Sequence, residues 1–97
     1  MITKSQRERL RDLAQQIPPT FQIGKNGVGG KEIIDISIAL DLHELIKISV
    51  LRDSEIDEET ILNAICSLTG AEPVIAKDNE VVIYRRSSCK NIEHIKI

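Results

Sequence analysis

The spacing of apolar residues changes several times along this chain, and the order of those changes limits the fold more than any other feature. Near the N-terminus, Leu10, Leu13, Ala14 and Ile17 follow the i, i+3, i+4, i+7 pattern of one helix face. Thr3 can cap that helix, and Gln6 three residues later completes a capping box. Pro18 and Pro19 end it, because neither ring can donate to a continuing ladder. Thr20-Phe21-Gln22-Ile23 then reads as a short strand. Residues 44–51 alternate, with Ile46, Ile48 and Val50 on one side and Leu45, Lys47, Ser49 and Leu51 on the other. Apolar content on both sides predicts a central strand covered by helices.

A third helix is capped by Asp57, with Glu58 and Glu59 at the positive end of its dipole. Ile56 and Ile61 can form a hydrophobic staple there. Ile61, Ala64, Ile65 and Leu68 are its expected core stripe, and Gly70 supplies a left-handed cap. Residues 73–77 and 80–85 read as a hairpin around Asp78-Asn79, a pair that tolerates positive φ. Residues 31–42 fit two periods. Ile34, Ile36, Ile38, Leu40 and Leu42 alternate as in a strand, while Ile33, Ile34, Ser37, Leu40 and Asp41 sit at helical spacing. Length favours the helix, since a strand of about twelve residues joined almost directly to the next would be unusual. The resulting order is α-β-α-β-α-β-β, an α/β sandwich on a small mixed sheet. Ninety-seven residues make one domain and are too few for two independent cores, and no linker or repeat divides them.

Charge is distributed unevenly. The formal net charge is −2, yet residues 1–31 carry six Lys/Arg against two Asp/Glu. Residues 32–84 carry three against twelve, and residues 85–97 four against one. Screening confines a charge's influence to about 8–10 Å in physiological salt, so a partner meets these regions separately. At about 100° per residue, Lys4, Arg7 and Arg11 fall in one stripe beside the apolar face of the first helix. One Phe, one Tyr and no Trp argue against a surface that stacks successive bases on aromatic rings.

Support for catalysis is thin. His43 and His94 lie in different segments, and no Ser or Cys occupies a nucleophile elbow. Cys66 and Cys89 show no metal-binding spacing and read as free thiols, Cys66 as a packed side chain. No cofactor or metal is expected. No apolar run approaches the about 18 residues of a membrane span, and the charged N-terminus lacks a signal core, so a soluble cytoplasmic protein is expected. The stretch that does suggest chemistry is Gly24-Lys25-Asn26-Gly27-Val28-Gly29-Gly30-Lys31. Glycine lets backbone approach a phosphate closely, and a following helix offers unpaired N–H groups. The spacing is not that of the GxxxxGK[ST] phosphate loop, and no Ser or Thr follows Lys31 to hold magnesium. A tight structural connection would explain the same glycines.

Four segments together resemble the CRM (chloroplast RNA splicing and ribosome maturation) family of single-domain YhbY-type proteins. They are Gln6-Arg7-Glu8-Arg9-Leu10-Arg11, Gln22-Ile23-Gly24-Lys25-Asn26-Gly27-Val28, His43-Glu44-Leu45-Ile46-Lys47-Ile48-Ser49-Val50 and Val81-Val82-Ile83-Tyr84-Arg85. The resemblance implies a four-stranded mixed sheet similar to the C-terminal domain of translation initiation factor three, and a helix over residues 31–42. It also implies RNA binding without catalysis, on precursors of the large ribosomal subunit and so on pre-ribosomal particles. The family's GxxG loop maps onto Gly24, Lys25, Asn26 and Gly27, and its basic helix face onto Arg7 and Arg11, extended by Lys4; Lys31 adds charge on the next helix. Glu8 and the acidic pI near 5.7 depart from the family's more basic pattern. Gly29 stands where relatives often carry a Ser/Thr cap, which predicts freer helix N–H groups.

The expected arrangement is a CRM-like domain over residues 1–86 and a tail over 87–97, either an edge strand or disordered, in a monomer. A protein-interaction module recruited to the ribosome through ribosomal proteins is the alternative. A small-nucleotide binder ranks below both for want of a metal-holding residue.

Overall fold

The chain follows the α-β-α-β-α-β-β order in a computed structural model that describes residues 2–24, 29–51, 57–88 and 94–95. Helix α1 (Lys4–Ala14) starts in the capping box: Gln6 N–H donates to Thr3 Oγ1 at 3.1 Å, and Thr3 N–H to Gln6 Oε1 at 2.9 Å. It ends before the prolines. Gln15, Gln16 and Ile17 donate to carbonyls three residues back, tightening the final turn. After β1 (Phe21–Ile23), residues 30–43 form helix α2 (Gly30–His43), so the helical period prevails there. Strand β2 (Leu45–Val50) follows, then α3 (Glu58–Thr69), where Asp57 accepts from Thr60 N–H at 2.8 Å and Gly70 closes the helix at φ 76°. Strands β3 (Glu72–Lys77) and β4 (Glu80–Tyr84) flank Asp78 and Asn79, both at positive φ, as a tight hairpin requires.

The sheet order is β1-β2-β4-β3, with β1 parallel to β2 and the other neighbours antiparallel. Strand alternation divides the core in two. Ile46, Ile48, Val50, Val81 and Ile83 meet Ile36 and Leu40 of α2 and Ile61 and Ile65 of α3. Leu45, Val82 and Tyr84 meet Leu10 and Ala14 of α1 on the other face. A register shift between Pro73 and Ile75 sends both Val74 and Ile75 to the α1 side, as a bulge does.

Two expected stripes are rotated. In α3 the buried residues are Ile61, Leu62, Ile65 and Thr69, whereas Ala64 is exposed and Leu68 is 64% exposed. Both sets contain Ile61 and Ile65, so helical spacing alone could not choose between them. Thr69 can lie inside because its hydroxyl donates to Ile65 O at 2.7 Å and accepts from Ala71 N–H at 3.3 Å. Arg85 pins this end by donating to Thr69 O at 2.7 Å and to Ser37 O at 2.8 Å, and pairs with Asp41 at 3.3 Å. In α1, Leu10 and Ala14 are buried and Ile17 is half-buried, but Leu13 stands at the rim of a groove, 39% exposed. Ile56, the expected staple partner of Ile61, lies outside the described residues.

Candidate nucleic-acid interface

Lys4, Arg7 and Arg11 share one side of α1, as the helical period requires, and with Glu8 and Val74 they line a depression of about 360 Å³. Arg7 is half-buried and donates from Nε to Pro73 O at 3.0 Å, which ties α1 to β3 as well as supplying charge. Lys4 and Arg11 are exposed. A second depression, of about 430 Å³, adjoins the first at Arg11 and adds Gln15 from the cap after α1, Lys47 from β2 and Lys77 from β3. Asp78 and Glu80 stand in it too. Lys47 and Lys77 are absent from the residues expected at the interface. Alternation along residues 44–51 places Lys47 on the face opposite Ile46 and Ile48, but only the position of α1 shows that this face borders Arg11.

Gly24 follows β1 directly, next to Leu51, whose N–H donates to Ile23 O at 2.9 Å. Lys25, Asn26 and Gly27 lie outside the described residues. Lys31 is exposed on the first turn of α2 and belongs to the layer on the other side of the sheet from α1. The structure therefore gathers Lys4, Arg7 and Arg11 and does not bring Lys31 to them. Gly29 makes no side-chain cap, as expected, yet the end of α2 is not open. The Glu32 carboxylate folds back so far that a Cβ on Gly29 would meet its Oε2 at 2.7 Å. The negative charge of Glu32 beside Gly29 offsets the positive end of the α2 dipole and works against an incoming anion.

Elsewhere the polar chemistry holds the fold together. Glu44 is fully buried at φ 66°, and its carboxylate accepts from Ser87 N–H at 2.7 Å, Ile95 N–H at 2.7 Å and His94 Nδ1 at 2.5 Å. Burial raises the Glu44 pKa, but those donors outweigh it and hold the group below its ordinary value. His94 and Ile95 thus dock on the body of the domain and lie in no strand. This site has no local signature in the sequence, because residues some fifty positions apart build it. Cys66 is half-buried against the core, and burial, with Glu72 nearby, pushes its thiol up to about 11, which leaves it protonated and inert. Cys89 lies outside the described residues. Tyr84 is buried and Phe21 packs against the core, so neither ring offers a stacking surface. No metal-binding cluster and no membrane-spanning helix occurs among the described residues.

A helix of clustered cations over a β1-β2-β4-β3 sheet, with glycines following β1, invites comparison with known proteins. The CRS1/YhbY (CRM) domain profile matches residues 2–85. The chain belongs to the CRM family. It is 37% identical over 87 residues to "Probable RNA-binding protein YqeI" of Bacillus subtilis (strain 168), covering 90% of this chain and 91% of that one. An "RNA-binding protein" of Haemophilus influenzae is 32% identical over 92 residues, 95% of this chain and 93% of its own. The solution structure of SAV1595 from Staphylococcus aureus, described as a hypothetical protein proposed to bind RNA, superposes with a TM-score of 0.80 at 36% identity. That match covers 98% of this CRM chain and all of the other.

Proposed function

We propose that this CRM protein is a non-catalytic RNA-binding factor that assists assembly of the large ribosomal subunit by gripping precursor rRNA. The observation that carries the reading is the gathering of Lys4, Arg7 and Arg11 on one depression. CRM membership and the names of the relatives support RNA as the polyanion. Without an exposed aromatic platform the recognition is of phosphates and shape, with little base stacking. Gly24 and the glycine-rich residues after it extend the contact, with Lys25, Asn26 and Gly27 the closest-approach positions and Lys31 a peripheral charge. Four to six engaged phosphates give log K a slope against log salt of about −3 to −5. A filter-binding titration checks this, and a flat salt dependence contradicts it. Sequencing the RNA that copurifies from the protein's own cells tests the ribosomal assignment.

A second reading, recruitment through ribosomal proteins, is favoured by one observation. Ile34, Ile38 and Leu42 stand 62%, 54% and 55% exposed along the outer side of α2, with the exposed Asp35 beside them. Charge complementarity suits that ridge to a basic protein and not to RNA. Loss of particle association in Ile34→Lys/Ile38→Lys, with RNA affinity retained, would establish it.

A further inference from the structure

Lys47 is an unusual residue for its place in the fold. It sits in β2, which is flanked by strands on both sides, and its side chain faces the layer where Leu45, Val82 and Tyr84 pack beneath α1. A central strand beneath a helix is ordinarily apolar on that face. Helix α1 is short, however, and ends at Ala14, so the sheet beyond it is uncovered. Val82 is the direct cross-strand neighbour of Lys47, and the lysine stem can run along it while the ammonium reaches the open end. Lys77 arrives at the same depression from β3 and Arg11 from α1. Among the described residues none of these three cations forms an ion pair, in contrast to Arg85, which is fully committed to Ser37, Thr69 and Asp41.

The surroundings of Lys77 are fixed in advance. Asn79 O accepts from Val50 N–H at 2.7 Å, and Asn79 N–H donates to Glu58 Oε2 at 2.6 Å, so the hairpin turn is tied to both β2 and α3. Unpaired cations held on braced strands are preorganised for an anion, and little entropy is lost when one binds.

We propose that Arg11, Lys47 and Lys77 form a second phosphate subsite, through which one RNA strand turns around the end of α1. This rests on the RNA-binding reading above and extends it. The strand would leave the Lys4–Arg7–Arg11 depression at Arg11, the residue common to both, and cross the uncovered end of the sheet. Ser49 and Gln22, paired across β2 and β1, continue that row as hydrogen-bond donors, and Gly24 lies two residues beyond Gln22. Asp78 and Glu80 share the depression and oppose the anion, which makes them its natural brake.

The test uses the full chain and a mixed-sequence 20-nucleotide single-stranded RNA, with fluorescence anisotropy read from about 50 to 200 mM salt. Lys47→Met/Lys77→Gln, which keeps an apolar stem over Val82, is expected to weaken binding roughly tenfold and to flatten the salt slope by about 1.4. Lys47→Arg/Lys77→Arg is expected to bind like the parent. Glu80→Gln is expected to tighten binding several-fold, a gain that misfolding cannot produce. If the Met/Gln variant matches the parent while Lys4→Gln binds less tightly, the subsite is refuted and the α1 stripe stands. If both match the parent, the subsite and the RNA-binding reading fall together. A Glu80→Gln chain that binds no more tightly than the parent also overturns the subsite.

Discussion

On one side of the sheet a single short helix covers part of the strands and leaves Lys4, Arg11, Lys47 and Lys77 around two open depressions. On the other, α2 and α3 bury the larger core and present Glu32, Asp35 and Glu59 outward with the aliphatic ridge of Ile34, Ile38 and Leu42. The two layers share one sheet, yet they offer opposite signs to a partner. The net charge of −2 conceals this, because strand alternation and helix placement sort the charges by face. Fields on that scale are screened within about 10 Å, so a polyanion at α1 is little affected by acids beneath the sheet.

Reversing the sign of the first face should have the largest effect on binding. Lys4→Glu/Arg11→Glu should lower RNA affinity about a hundredfold, close to 2.7 kcal/mol, by anisotropy at fixed salt. A loss of less than threefold would mean that the strand binds elsewhere.

A smaller effect is expected at the junction of the layers, where Glu44 receives Ser87, His94 and Ile95. Glu44→Gln should cost roughly 2 kcal/mol in denaturant unfolding, because buried donors lose their anionic acceptor, with intrinsic RNA affinity unchanged. The sign of its pH dependence follows from the lowered pKa. The carboxylate's contribution is complete above the ordinary glutamate range and is lost as pH falls through the folded value. Parental stability should therefore fall faster on acidification than that of Glu44→Gln; parallel curves would contradict the role. Ending the chain at Arg86 removes all three donors and should destabilise the domain comparably.

The smallest effect belongs to the second face. Ile34→Lys/Ile38→Lys should change affinity for RNA less than twofold at about 0.15 M salt, because these side chains lie behind the sheet from α1. A tenfold gain or loss would merge the two faces into one binding surface.

What could be read from the chain in advance was whatever neighbouring residues decide. The Thr3–Gln6 box, the Asp57 cap, the Gly70 terminus and the Asp78-Asn79 turn each need only a few consecutive residues, and each is present. The Lys4–Arg7–Arg11 stripe followed from helical period alone. What escaped depended on distant chain. The inward side of α3 is set with Arg85 reaching Thr69 and Ser37 from β4's end, and Glu44 is completed by residues of the tail. Lys47 and Lys77 became neighbours of Arg11 only when two sheet pairings and a helix crossing were in place. The Glu32 carboxylate over Gly29 escaped for another reason: its spacing is local, but a glutamate at that position reads equally well as solvated.

The most direct test follows the backbone amide signals of the isotopically labelled chain as a single-stranded RNA is titrated. Movement is expected at Lys4, Arg7, Arg11, Gln15, Lys47, Lys77 and Gly24, with Ile34, Ile38 and Leu68 still. Signals that move along α2 and α3 while those of α1 and the open end of the sheet stay in place would contradict it.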